Sequence, residues 1–201
     1  MLKKILSGVC AGVCITMGGA VYLAVENRIA GAVLFSVALL CICYRGYSLF
    51  TGKVGFLPEK HDKEAFSVLL LGLLGNFLGT LAGGLLVRLA LPNLGEAARV
   101  LCEAKLVQQP WYGTLIRGVL CGVLMYLAVS IFRDKKTPLA ILFCIPVFIL
   151  SGFEHSIADM FYFAASGIVS GKACLFLWIV VLGNSVGGML LPLLTGKEKT
   201  A

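Results

Sequence analysis

Charge is scarce in this sequence. Only 13% of its 201 residues are Asp, Glu, Lys or Arg, while 59% are hydrophobic. A soluble domain carries about 25% charged residues, so a water-soluble fold is excluded. Histidine is scarcer still, with only His61 and His155, and there is no H-E-x-x-H string of the zinc-protease kind. The eight cysteines form neither C-x-x-C nor a paired Cys/His framework, and most lie in apolar stretches. They read as small buried hydrophobes, reduced and unbridged, so neither a metal nor a redox cofactor is expected. Enzyme chemistry is also poorly provided for. Glu154 and His155 form one acid–base pair, but no second convergent carboxylate and no serine–histidine spacing accompanies it.

What the chain has instead is apolar runs, at about Ile5–Val25, Ala30–Tyr47, Phe66–Leu91, Thr114–Phe132, Leu139–Phe163 and Ala173–Leu194. Each is near the roughly 20 residues that cross a bilayer, where every backbone amide must be paired within the segment. The reading is an all-α membrane protein of six transmembrane helices in one domain over residues 1–201. Met1-Leu2-Lys3-Lys4 and the run after it exceed a signal core and lack an A-x-A-type site, so they read as the first span. Lys and Arg in short loops favour the cytoplasmic side. The face carrying both termini holds ten of them, among them Lys53, Arg133, Lys197 and Lys199, and the other face holds five, among them Arg28 and Lys105. Both termini are therefore expected to be cytoplasmic. The net charge of +7 is accounted for by that topology and by anionic lipid, with no need of nucleic acid.

The first three runs resemble the last three. Gly8-Val9-Cys10-Ala11-Gly12-Val13 matches Gly118-Val119-Leu120-Cys121-Gly122-Val123 at a displacement of 110 residues, and Leu74-Gly75-Asn76-Phe77-Leu78-Gly79 matches Leu182-Gly183-Asn184-Ser185-Val186-Gly187 at 108. A unit of three spans re-enters the membrane from the opposite side, so the halves are expected to be inverted repeats. Inverted repeats with interrupted helices in corresponding places are a transporter pattern. The interruptions are Leu49-Phe50-Thr51-Gly52 in helix two and Ser151-Gly152-Phe153-Glu154-His155-Ser156 in helix five. The stripe Gly75-x3-Gly79-x3-Gly83 and its counterpart Gly183-x3-Gly187 read as close-packing surfaces. For Asn76 and Asn184 two roles stay open, a structural bond between helices or a place in the pore lining.

Several strings together carry a family resemblance: Leu49-Phe50-Thr51-Gly52, Glu103-Ala104-Lys105-Leu106, Arg117-Gly118-Val119-Leu120-Cys121, Leu127-Ala128-Val129, Gly152-Phe153-Glu154-His155-Ser156-Ile157-Ala158 and Gly183-Asn184-Ser185-Val186-Gly187-Gly188. In this order and over nearly the whole chain they resemble the formate/nitrite transporter family. The resemblance implies an aquaporin-like protomer with broken second and fifth helices, a homopentamer in the bacterial cytoplasmic (inner) membrane, and one pore per protomer. The solutes it implies are small monovalent anions such as formate, nitrite, hydrosulfide, acetate or lactate, moving with or without protons. It places Thr51 and His155 at the pore centre, Lys105 where it draws anions inward, Asn184 on helix six, and Phe50 and Phe148 at apolar constrictions. The chain departs from the pattern at Gly122 and Asp159, where the family often has asparagine, and in Arg45, which stands close before the first break. Those departures bear on solute preference.

Moving a bare ion through a low-dielectric slit is far costlier than moving a neutral weak acid. The expected mechanism follows: the anion is drawn by Lys105 and half-helix N-termini, gains a proton near His155, and crosses as the acid. Histidine suits this because its unperturbed pKa is about 6.5, and ionisable groups inside a membrane are by default functional. Around it, Glu154 is expected to tie down its loop, and Asp159 either to pair with Arg45 or to stand near His155. Thr51 either caps the following helix or touches solute. Lys105 is placed in an outer loop. The inverted repeat alone would also permit a neutral small-solute channel.

Overall fold

A computed structural model describes residues 1–196; Lys197 and Lys199, counted above toward the face with both termini, lie outside the described residues. These form nine α-helices and no strand. They are α1 (Leu2–Ala24), α2 (Arg28–Arg45), α3 (Phe50–Lys53, continued by a 3-10 turn at Val54–Phe56), α4 (Lys63–Ala90), α5 (Pro92–Gln108), α6 (Trp111–Lys135), α7 (Leu139–Leu150), α8 (Ser156–Ser166) and α9 (Gly171–Thr195). Five of them, α1, α2, α4, α6 and α9, are long and apolar enough to cross a membrane. The fifth apolar run of the sequence is instead two short helices, α7 and α8, on either side of a break.

Local chemistry sets the helix ends. Asn27 accepts from the N–H groups of Ile29 and Ala30, each at 3.0 Å. Asp62 accepts from Ala65 at 2.7 Å and Ser170 from Ala173 at 3.1 Å, each filling orphan donors of a first turn. Helix α2 stops at Gly46, whose φ of 71° lies in the left-handed region that glycine reaches without strain. The first break therefore spans Gly46–Leu49, earlier than the Leu49–Gly52 expected from the sequence, and Phe50, Thr51 and Gly52 are helical. The second break falls between Leu150 and Ser156, as expected.

The closest helix pairs are α1 with α4 and α6 with α9. Both are built on small residues: a Cβ on Gly12 would lie 2.6 Å from the carbonyl oxygen of Asn76, and one on Gly122 would run into the carbonyl of Asn184. The glycine stripes are thus contact surfaces that allow backbones to touch. Large apolar side chains point the other way. Leu70, Leu86 and Leu89 of α4 and Leu175, Trp178 and Leu193 of α9 are exposed, as suits helices that face lipid or another apolar surface.

Candidate functional site

Two asparagines organise the breaks. The Asn76 side chain accepts from the N–H of Phe50 at 2.9 Å and donates to the carbonyls of Gly8 (2.9 Å) and Ser48 (2.8 Å). The Asn184 side chain accepts from the N–H of Ser156 at 2.8 Å and donates to the carbonyls of Gly118 (2.9 Å) and Glu154 (2.8 Å). Both residues are fully buried. In each case one amide clamps a tight helix pair and satisfies backbone groups of the break and of the helix that follows it, where no water would otherwise serve. Both N–H donors of each amide are used, so each side chain acts as a tie between helices.

The ties bring the broken ends together. Thr51 Oγ1 lies 2.8 Å from His155 Nε2, and both residues are buried. His155 is also the N-cap of α8, its Nδ1 accepting from the N–H of Ala158 at 3.1 Å. A ring nitrogen that accepts carries no proton, so the neutral ring has its proton on Nε2 and donates to Thr51. The hydroxyl hydrogen of Thr51 is then left without an acceptor among the described residues. Phe148 stacks on the imidazole, with centroids 5.7 Å apart and planes 25° apart, and Phe35 meets Phe148 edge-on at 6.2 Å.

Cavities lie on both sides of this layer. An upper one of about 320 Å³ is lined by His155, Phe148, Phe35, Lys105, Arg117 and Arg28, among others. A lower one of about 460 Å³ is lined by Leu39, Leu49, Gly52, Lys53, Arg133 and Lys136, among others. They sit at opposite ends of the same helices: Arg28 opens α2 and Gly46 ends it, while Arg117 stands near the start of α6 and Arg133 near its end. Phe35 and Leu39 face different cavities although they are one turn apart on α2, about 6 Å along the axis. The apolar partition is therefore thin. Phe148 lines the upper cavity; Phe50 is buried and lines neither. Leu49, Leu39 and Phe35, which the sequence reading did not single out, stand at the partition.

Charge in the upper cavity is arranged differently from expectation. Lys105 is on a helix, α5, and not in a loop, and its side chain is only 12% exposed. It donates both to Glu154 and, at 2.9 Å, to Asp159. Gln109 donates to the other oxygen of Glu154 at 2.6 Å. Asp159 thus pairs with Lys105, and Arg45, exposed at the opposite end of α2, plays no part. The second oxygen of Asp159 is buried without a partner among the described residues. Arg117 braces the break from the side: its guanidinium donates to the carbonyl of Gly152 at 2.8 Å, and its own carbonyl accepts from the N–H of Glu154. In the sequence Arg117 stands out only as part of a motif. The signal for Gln109 is slight, one of two adjacent amides after Lys105.

Two cavities at opposite ends of the same helices are thus separated by a thin apolar layer that holds one polar pair. The formate/nitrite transporter family profile matches residues 1–196. An uncharacterized transporter of Bacillus subtilis, YwcJ, is 28% identical over 95% of this chain and 85% of its own length. The nitrite transporter NirC of Salmonella typhimurium is 30% identical over 87% of this chain and 72% of its own. A pentameric formate channel solved with formate bound, 22% identical, has the same fold, with a TM-score of 0.83 over 96% of this chain and 95% of that one. The profile match runs the length of the described residues, and the chain belongs to the formate/nitrite transporter family.

Proposed function

We propose that this protein is a channel or transporter for small monovalent weak-acid anions of the formate and nitrite class, with one pathway in each protomer of a homopentamer. The observation that carries the reading is the Thr51–His155 pair, set between two cavities at opposite ends of the same helices. The named functions of the nitrite-transporting and formate-conducting relatives support the solute class, and the pentameric neighbour supports the assembly. The matched bonds of Asn76 and Asn184 support two inverted three-helix halves, with six spans in all. The excess of Lys and Arg beside the lower cavity supports its facing the cytoplasm, together with both termini. The chain is not an enzyme in this reading, and its setting is the bacterial inner membrane.

The pathway runs from the upper cavity, walled by Lys105, Glu154 and Asp159, past Phe148 to Thr51 and His155, and out beside Leu49 and Lys53. Asn76 and Asn184 hold the broken ends that place the central pair. His155 works as a neutral donor. Charging its ring would put a proton on Nδ1 and break the bond that caps α8, so the proton that neutralises the anion arrives through water. His155 fixes Thr51, and the threonine hydroxyl donates to the solute. The solute crosses the partition as the acid, because a bare ion there would lose its hydration without replacement.

Proteoliposome flux of formate, nitrite, hydrosulfide, acetate and lactate, at a mildly acidic and a mildly alkaline pH, tests the reading. Formate or nitrite is expected to move fastest, faster at the acidic pH, and to compete with the other anions. Flux of glycerol or urea that no anion inhibits, with no anion flux, would assign the protein to neutral solutes instead.

A further inference from the structure

The cations of the upper cavity are not equivalent. Lys105 is bonded to two carboxyl groups, those of Glu154 and Asp159, so it is already engaged where it stands. Gln109 adds a further bond to Glu154, and the Phe176 ring of α9 covers the ammonium at 5.9 Å. An anion entering the cavity meets a lysine two of whose three donors are already taken. Arg117 is in the opposite condition. It lines the same cavity as His155, makes no ion pair among the described residues, and spends one donor on the carbonyl of Gly152. A guanidinium has five N–H donors in a fixed fork, so several remain for a solute. The two bonds of Arg117 to the break, through its side chain and its own carbonyl, hold that fork in place.

We propose that Arg117 is the anion-binding residue of the upper cavity, selecting planar oxyanions with two oxygens, and that Asp159 makes it so by withdrawing Lys105 from the solute. This deepens the transport reading above and rests on it. A planar guanidinium pairs bidentately with a carboxylate-like edge, which a lysine, as a point charge, does not. A carboxylate or nitrite is thereby favoured over hydrosulfide, which has a single sulfur. Arg28, exposed at the cavity rim, supplies attraction without a fixed geometry.

The test compares initial rates of formate, nitrite and hydrosulfide flux in proteoliposomes of wild type, Arg117→Lys and Asp159→Asn. Arg117→Lys keeps the charge and loses the fork; formate and nitrite flux should fall about tenfold and hydrosulfide flux less than about twofold. An equal fall for all three, or no fall, would mean that Arg117 only braces Gly152 and would overturn the proposal. Asp159→Asn removes one of the two carboxyl groups that hold Lys105 and leaves Glu154, so the half-saturating concentration of all three anions should drop; no drop would overturn the role given to Asp159. A third measurement needs no variant. Phenylglyoxal modification of Arg117 in the wild-type pentamer, read by peptide mass spectrometry, should be slowed by formate and not by hydrosulfide; equal protection or none counts against the fork. A wild-type protein that carries none of the three anions would refute the transport reading itself, before any variant is compared.

Discussion

His155→Ala is expected to lower formate and nitrite flux by ten- to hundredfold, at acidic and alkaline pH alike. The estimate follows from the hydrogen bonds lost. His155 Nε2 orients Thr51 at 2.8 Å, and a bond that bears on a charged or charging solute is worth about 1.5–3 kcal/mol, with each 1.36 kcal/mol a factor of ten in rate. The same change removes the N-cap of α8, since Nδ1 no longer accepts from Ala158, at about 1 kcal/mol of stability. The two effects separate with His155→Asn. Asparagine is a good N-cap, so this variant should assemble and melt like the wild type while keeping the lowered flux. Flux in proteoliposomes with a pH series is the measurement. Wild-type rates in both variants would place the pathway elsewhere.

Asn76→Leu and Asn184→Leu should each prevent accumulation of folded protein. Leucine matches asparagine in size but offers no polar atom. In the first variant the N–H of Phe50 and the carbonyl of Ser48 lose their bonds to the amide, and in the second the N–H of Ser156 and the carbonyl of Glu154 do. A buried group so orphaned costs about 1–3 kcal/mol, and more in hydrocarbon. Two in one variant consume much of a net stability of about 5–15 kcal/mol. Size-exclusion profiles in mild detergent should show aggregate in place of the pentamer. A pentamer of wild-type stability from either variant would show that water, and not the amide, satisfies the breaks.

The features legible in the sequence were those with a local signature. Apolar runs gave the long helices, and the F-E-H-S-x-A string gave His155 and the second break. The first break was misplaced because Thr51-Gly52 drew attention, whereas the stop is written at Arg45-Gly46: a basic last-turn residue followed by a left-handed glycine. Helix α5 is hard to see in the sequence because its apolar face is narrow. Only Leu94, Gly95, Ala98 and Cys102 are buried on it, yet Pro92 at its first turn and the four-residue spacing of Leu94, Ala98 and Cys102 mark a helix. The pairing of Lys105 with Glu154 and Asp159 joins residues 49 and 54 positions apart, and no local periodicity encodes it. It needs α5 to lie over α8, which only the packed fold decides. For Asn76 and Asn184 the sequence left two roles open; the geometry occupies both donors of each with backbone carbonyls.

The central claim is that the anion crosses the Thr51–His155 layer together with a proton. An inward formate gradient imposed on proteoliposomes loaded with a pH-sensitive dye, with the membrane potential clamped, tests it most directly. The account predicts that the lumen acidifies in step with formate entry and that Thr51→Val slows both to the same extent. Formate entry without acidification, driven instead by the potential, would contradict it.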